Sequence, residues 1–342
     1  MQDAMRLNRS RLLIAGSKAK LCAAGLLLVG VSGIMTGIAM GQADWPNRPI
    51  TLLVPYSAGS ASDSLARTLI GPIGRKIGQP LVIENRTGMD GMIAGRAAAR
   101  SEPNGYAQYF GVTTSLSLAY NLQSNLGFDP RKDYSPVSMV GQTAYLLVVN
   151  SELGVKSIPE LVALARSKPG HLNFSSTGEG SIAHLGMLVL AKKLGIEMTH
   201  VPYKSTAQSI IDVASGVIQL QLATIAPTIP LHHTGKVRIL GVASDHRTPV
   251  LPDVPTLQEQ GVPDFQATFS MGLFLPAGTP ERIINLLNAA VREALADPDV
   301  RKQYFLQGFE PKASSPSELR EYVTNEIETY RKVIAEYGIK TQ

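Results

Sequence analysis

The sequence predicts an α/β protein whose parallel sheets are covered by helices on both faces. Apolar runs of strand length alternate with stretches of helical spacing, which is typical of parallel strands joined by crossover helices. The chain has 342 residues, of which 44% are hydrophobic and 17% are charged. This composition excludes a largely disordered chain, and this length predicts one large or two medium domains.

The first strand, loop and helix are predicted in residues 50–77. Residues 50–56 are apolar, residues 57–63 are polar, and leucine and isoleucine then recur with helical spacing between 65 and 77. The same order returns after strands at 81–84 and 171–175, the latter before a helix at 182–194. Further buried strands are predicted at 109–112, 146–149, 218–223, 237–243 and 272–275.

The C-terminal part is helical in its pattern from Pro280 to Tyr337. Thr279 is predicted to cap a first helix that has Pro280 in its first turn. A second helix is predicted from about Ser317, with cap chemistry in residues 315–318. Two extended apolar runs, 145–150 and 271–277, predict crossings between two domains, one of them discontinuous.

Residues 1–43 have the pattern of a secretory leader. Five cations precede the uncharged apolar run 21–40, and the small residues 41–43 suit a signal peptidase. The alternative is a membrane anchor, but the glycines and the small-residue exit favour cleavage after Ala43. Cys22, the one cysteine, leaves with the leader, and its position at the start of the run argues against a lipid anchor.

The charge of the mature chain excludes a nucleic-acid-binding stripe. The leader accounts for four of the five net positive charges.

The mature chain also offers few residues for catalysis. Because it contains no thiol and lies outside the cytoplasm, it is expected to have neither disulfide nor cysteine chemistry. Motifs for serine hydrolases, zinc proteases and phosphate-binding loops are absent, and no metal or cofactor is expected. Residues 178–183 match G-x-G-x-x-A, the pattern of a dinucleotide-binding loop. The match lies deep in the chain rather than after its first strand, and an exported protein rarely meets a nicotinamide cofactor, so we interpret these residues as an anion-binding helix start.

Three loops, 56–63, 113–115 and 175–181, predict a binding site for an anion. Each follows a predicted strand, precedes a helix, is rich in hydroxyl groups or glycine, and contains no Lys or Arg. Free N–H groups and the dipole at a helix start favour an anion. His184 could donate to that anion or form a structural hydrogen bond, and Asp63 is interpreted as a helix cap and loop organiser rather than a general base.

The chain resembles the substrate-binding proteins of tripartite tricarboxylate transporters, the Bug-type receptors. The resemblance spans the mature chain and is carried by an ordered set of motifs. These are 46–50, 54–56 with Gly59 and Asp63, 78–80, 84–86 with Gly88 and Gly91, 103–106, 128–130, 132–134, 168–170, 200–204, 251–256 and 276–280.

The resemblance implies a two-lobed periplasmic-binding-protein fold similar to type II, in which each lobe is a mixed, mainly parallel sheet flanked by helices and crossing strands join the lobes. One lobe would comprise 44–144 plus 271–342 and the other 145–270. It implies a monomeric periplasmic receptor, not an enzyme, that captures a small organic carboxylate and delivers it to integral-membrane transporter subunits. The implied ligand-binding residues are Tyr56, Ala58, Gly59, Ser62, Asp63, Thr113, Thr114, Ser176, Thr177, Gly180, Ser181, His184, Tyr203, Lys204 and Ala223.

The sequence departs from the family pattern in places that bear on the ligand. The turn 58–60 has the sequence Ala-Gly-Ser where Pro-Gly-Gly is usual. A positive φ at position 60 would suit glycine but strain Ser60. Ala223 replaces a common acid that could balance an amino group, so the sequence predicts that amino acids do not bind. A sensor that signals to a membrane partner would need the same site, whereas a hydrolase based on Asp63 or His184 lacks a nucleophile.

Overall fold

The structure, a computed structural model, describes residues 45–203 and 206–339. The predicted leader and Lys204 lie outside these residues. The strands are β1 Ile50–Val54, β2 Leu81–Asn85, β3 Ala107–Val112, β4 Tyr134–Ala144, β5 Leu146–Asn150, β6 Asn173–Ser176, β7 Thr199–Pro202, β8 Leu220–Ala223, β9 Val237–Val242 and β10 Thr268–Pro276. The helices are α1 Ala61–Ile77, α2 Met92–Ala99, α3 Thr113–Leu122, α4 Ile158–Ser167, α5 Ile182–Leu194, α6 Thr206–Ala214, α7 Ile225–His233, α8 Glu281–Ala296, α9 Pro298–Leu306 and α10 Pro316–Tyr337.

The strands form two five-stranded sheets with the same plan. The first has the order β2-β1-β3-β10-β4 and the second the order β7-β6-β8-β5-β9. In each sheet the fourth strand, β10 or β5, runs antiparallel to both neighbours, and the other strands run parallel. The sheets are therefore mixed and mainly parallel, which confirms the two-lobed α/β fold.

Helices cover both faces of the first sheet because consecutive strand residues point to opposite sides. Leu52 and Val54 pack with α1 and α8 in one buried cluster. Leu53 and Tyr109 face the other way and pack with α2, α3 and α10. The second sheet is built alike around Phe174 and its neighbours, with α4 and α5 on one face.

The chain passes between the sheets at two adjacent points. Tyr145 links β4 to β5, and Ala267 precedes β10. The Tyr145 N–H donates to the Ala267 carbonyl at 2.9 Å. The second crossing was predicted at 271–277, but it lies earlier in the chain. Thr268 already pairs with Ala144 of β4, so residues 271–276 belong to the first sheet. The apolar run there reflects a central buried strand rather than a crossing.

The helix ends confirm one predicted cap and correct another. Ser315 and Glu318 form a capping box at the start of α10, as predicted. The N-cap of α8 is Pro280, and the Thr279 hydroxyl instead donates to the Pro276 carbonyl at 2.8 Å. Within residues 45–203 and 206–339, none of the helices has the length and apolar character needed to cross a membrane.

Candidate binding site between the lobes

The three predicted loops all lie at carboxyl ends of parallel strands. Residues 56–63 run from the end of β1 into the first turn of α1, and residues 175–181 run from the end of β6 to the start of α5. Residues 113–115 are not a loop but the first turn of α3, which follows β3 directly. β1 and β3 are neighbours in the first sheet, and β6 holds in the second sheet the position that β1 holds in the first. The topology thus places a predicted loop at a strand end in each sheet, where α/β proteins commonly bind ligands.

Asp63 organises the loop between β1 and α1. Its carboxylate accepts hydrogen bonds from the Gly59 N–H at 2.9 Å, from Arg67 Nε at 2.8 Å and from Asn85 Nδ2 at 3.1 Å. Burial opposes ionisation of Asp63, but the hydrogen bonds outweigh that effect and lower its pKa. The carboxylate is fully engaged, so it has a structural role rather than that of a base.

The backbone of this loop is set by Gly59 and not by Ser60. Gly59 has a φ of 81°, which favours glycine, whereas Ser60 has a φ of −69°. The helix cap is Ser60, whose hydroxyl accepts from the Asp63 N–H at 3.3 Å, so the cap role predicted for Asp63 falls to Ser60. The departure from Pro-Gly-Gly at 58–60 therefore leaves Ser60 unstrained.

Ser62 is the unusual residue of the first turn of α1. It is only 1% exposed, yet its Oγ atom makes no hydrogen bond with any residue that the structure describes. A buried hydroxyl without a partner costs stability, and such an atom calls for an explanation. Ala58 and Gly59 are exposed beside it.

Tyr56, at the end of β1, joins two other elements of the first lobe. Its hydroxyl donates to Asp90 Oδ1 at 2.9 Å and lies 3.2 Å from Ser115 Oγ. Burial of the phenol and the neighbouring Asp90 charge raise the pKa of Tyr56 well above its ordinary value. Tyr56 is therefore a neutral hydrogen-bond donor at physiological pH.

The structure turns the hydroxyls of Thr113 and Thr114 towards the interior of the first lobe. Thr113 Oγ1 donates to the Ser270 carbonyl at 3.3 Å, and Thr114 Oγ1 lies 3.2 Å from Glu326 Oε1. Of residues 113–115, only Ser115 lines the cavity between the lobes.

The loop of the second lobe is held by its own polar groups. Ser181 caps α5, and its hydroxyl donates to the Gly178 carbonyl at 2.8 Å. Ser176 is buried and its Oγ lies 2.7 Å from His200 Nε2. Thr177 is exposed and Gly180 is half-buried, so this loop offers both main-chain and side-chain groups to the lobe interface.

His184, in the first turn of α5, is a neutral hydrogen-bond donor beside this loop. Its Nδ1 accepts the Gly180 N–H at 3.1 Å, and its ring lies 4.1 Å from that of His200, centroid to centroid. Burial and the repulsion of a second positive charge on His200 lower the pKa of His184 to about 4, against a weaker opposing effect of Glu179. The proton of His184 is thereby placed on Nε2.

Of the remaining residues predicted for the site, Tyr203 is joined to the second-lobe loop by its main chain, since its N–H donates to the Ser176 carbonyl at 2.9 Å. The Tyr203 hydroxyl donates to Asp212 Oδ2 at 2.7 Å, and Lys204 lies outside the described residues. Ala223 is 1% exposed and packs in a hydrophobic cluster with Leu146 and Val148.

A cavity of about 320 Å³ lies between α3 and the turn at Asp90 in the first lobe and the start of α5 in the second, and none of residues 56–63 is among its described lining residues. The first lobe contributes Asp90, Ser115 and the side of α3, and the second contributes the start of α5. The second-lobe residues at and before the start of α5 that line it include Thr177, Glu179, Gly180, Ser181 and His184. Tyr337 at the end of α10 and the two residues after it, 338–339, line one side.

The sequence did not single out Asp90 or the end of α10 as parts of the site. Asp90 lies in the turn 87–91 after β2. The sequence feature that could have identified it is an acidic residue between two glycines at the end of a strand. No group of three or more His, Cys, Asp or Glu residues within the described ranges is arranged to hold a metal ion.

Comparison with known proteins gives a consistent set of similarities. The model of the tripartite tricarboxylate transporter family receptor matches residues 65–339. The protein BugT of Bordetella pertussis is 31% identical over 318 residues, which cover 92% of this chain and 98% of BugT.

Solved structures agree with this similarity. The Rhodopseudomonas palustris protein Rpa4515 with adipate is 32% identical, with a TM-score of 0.80 over 87% of this chain and 99% of that one. MatC from the same species, with bound malate, is 32% identical, with a TM-score of 0.75 over 85% of this chain and all of the other. The periplasmic binding protein BugD is 27% identical, with a TM-score of 0.77 over 87% of this chain and all of that one.

Proposed function

The chain belongs to the tripartite tricarboxylate transporter receptor family, and from this membership we propose that it captures a small organic carboxylate between its lobes. It is a solute-binding receptor with two α/β lobes. Its similarity to structures that hold adipate and malate supports a carboxylate as the solute. The captured acid would be delivered to the membrane subunits of a transporter.

The observation that carries this proposal is the buried, unpaired hydroxyl of Ser62. A buried hydroxyl that lacks a partner lies in the first turn of a 17-residue helix, where unpaired N–H groups and the helix dipole also favour an anion. The loop before it contains no Lys or Arg. A carboxylate oxygen would satisfy Ser62 Oγ and be held by dipoles and hydroxyls.

The opposite lobe would complete the site. The start of α5 offers main-chain N–H groups, and the neutral His184 offers its Nε2–H. The two passages at Tyr145 and Ala267 lie side by side, which supports a hinge about which the lobes close over the ligand. Tyr203, Lys204 and Ala223 remain proposed contacts from the sequence.

We further propose that the mature protein is a periplasmic monomer that begins at Asp44. The leader pattern in residues 1–43 supports export. Residues 44–144 with 271–342 would form one lobe and residues 145–270 the other, although the observed β10 already begins at Thr268.

Replacing Ser62 with alanine should weaken carboxylate binding about tenfold or more, because a hydrogen bond to a charged group contributes about 1.5 to 3 kcal/mol. Calorimetric titration with adipate and with malate measures this. Ser64→Ala is the matched control, since Ser64 lies in the same turn but is less buried. Equal affinities of Ser62→Ala and the wild type for an acid that binds would refute the role of Ser62.

A further inference from the structure

The last two turns of α10 extend from the first lobe to the second. Earlier in the helix, Leu319, Val323 and Ile327 are buried in the cluster that covers one face of the first sheet. Asn121 Nδ2 of α3 also donates to the Ile327 carbonyl at 2.9 Å. The position of α10 is therefore set by the first lobe, and its end is held out towards α5.

An apolar cluster joins the two lobes at this end of α10. Its buried side chains come from α3 and α10 of the first lobe and from α5 of the second, and each is at most 8% exposed. They are Leu118, Leu122, Leu185 and Ile334. Separating the lobes here would expose apolar surface to water, which is unfavourable. This interlobe cluster is thus a connection additional to the two chain passages at Tyr145 and Ala267.

Lys192, in the last turn of α5, contacts the C-terminal end of α10 directly. Its Nζ donates to the Glu336 carbonyl at 2.8 Å and lies 4.3 Å from the centroid of the Tyr337 ring. The last carbonyls of a helix lack partners within the helix, and the helix dipole is negative there, so a cation is favoured. The neighbouring Lys193 instead donates to the Pro263 carbonyl at 3.0 Å, within the second lobe.

The chain reverses after α10 and brings Ile339 back to the interlobe cluster. The N–H of Gly338 donates to the Ala335 carbonyl at 3.4 Å, and the N–H of Ile339 donates to the Ile334 carbonyl at 3.0 Å. These are the two bonds of a Schellman motif, and the φ of 63° at Gly338 suits the glycine that this motif favours. The turn places Tyr337 and Ile339 in the lining of the cavity between the lobes.

We propose that residues 330–339 form a clasp that holds the two lobes together and slows the release of a bound solute. This inference rests on the proposed function, because it assigns a role in the lobe closure that captures the solute. A rotation that moves α5 away from α3 has to break the contacts of Lys192 and divide the interlobe cluster. Since release of a solute from between the lobes requires such a rotation, the clasp acts on the dissociation rate.

Two variants of the full mature protein test the clasp. Lys192→Met removes the cation but keeps an unbranched side chain, and Ile334→Ala removes an apolar contact. X-ray scattering without ligand should give a larger radius of gyration for each variant than for the wild type. In stopped-flow measurements, adipate or malate should dissociate about twofold to fivefold faster from Lys192→Met and about tenfold or more faster from Ile334→Ala. Lys193→Met is the matched control and should behave like the wild type in both measurements.

The two measurements separate this inference from the proposed function. Scattering and release rates equal to those of the wild type in both variants, or an equal effect of Lys193→Met, would overturn the clasp and leave the carboxylate receptor standing. If neither acid binds, the proposed function fails, and the scattering of the ligand-free proteins still decides whether the clasp holds the lobes. A melting transition shows that each variant is folded, and if Ile334→Ala does not fold, Lys192→Met alone decides.

Discussion

Replacing Asp63 with alanine should lower the free energy of unfolding by about 2 to 3 kcal/mol and the melting temperature by about 5 °C or more. Asp63 is nearly fully buried, and its carboxylate holds Arg67, Asn85 and the Gly59 N–H. The expected loss of unfolding free energy is smaller than for breaking a fully buried ion pair, because the Arg67 side chain is 55% exposed. Thermal and urea unfolding of the ligand-free protein measure it.

The matched control is the exposed pair of Glu84 and Arg86, 2.5 Å apart. Both side chains are more than 40% exposed, so Glu84→Ala should change the unfolding free energy by less than about 0.5 kcal/mol. Equal losses for the two variants would show that Asp63 is not the organiser of the loop.

Glu326 should make the protein less stable as the pH rises from about 4.5 to 7. Its carboxyl lies between α10 and the start of α3, 3.1 Å from Ser117 Oγ and 3.2 Å from Thr114 Oγ1. Burial raises its pKa from 4.5 to about 7, and the hydrogen bonds from neighbouring hydroxyls reduce this shift without cancelling it.

The direction of this pH dependence follows from the number of protons bound by the folded and the unfolded protein. Between the unfolded pKa near 4.5 and the folded pKa near 7, the folded protein binds more protons than the unfolded chain, so stability falls with rising pH and is constant above 7. The full change in the free energy of unfolding amounts to at most about 3.5 kcal/mol. His184 has the opposite effect, because its lowered pKa favours folding as the pH rises from 4 to 6.5.

Glu326→Gln isolates the acid from other titrating groups. The amide keeps the shape and one acceptor but cannot ionise, so the variant should match the wild type at pH 5 and be more stable at pH 8. Melting temperatures across this range measure the difference between the two proteins. A constant difference at every pH would contradict a pKa near 7 for Glu326.

The parts of the fold that could be predicted are those with a strong local pattern. The helix predicted at 182–194 is observed as α5, Ile182–Leu194, because Ser181 caps it and apolar residues recur along it. Two strands were missed. β4 contains Pro136, Gly141 and several hydroxyl residues, and β7 is a short, mostly exposed strand that contains Pro202. Their positions depend on pairing with distant strands rather than on their own composition.

The site could be predicted at the level of loops but not of side chains. Residues at the starts of α1 and α5 carry the hydroxyl and glycine pattern that the sequence displays. Which way a hydroxyl points depends on distant partners: Thr114 turns towards Glu326, 212 residues along the chain, whereas Ser115 meets Tyr56. The contact of Asp90 with Tyr56 likewise depends on the packing of one turn against β1.

Native mass spectrometry tests most directly whether this chain captures a small carboxylate. The mature protein is purified without added ligand and then mixed with adipate, malate or glutamate. We predict a one-to-one complex with at least one of these acids, lost on denaturation and weakened in Ser62→Ala but not in Ser64→Ala. An unliganded mass in the presence of every acid, from protein whose folded state is verified by its melting transition, would contradict the claim.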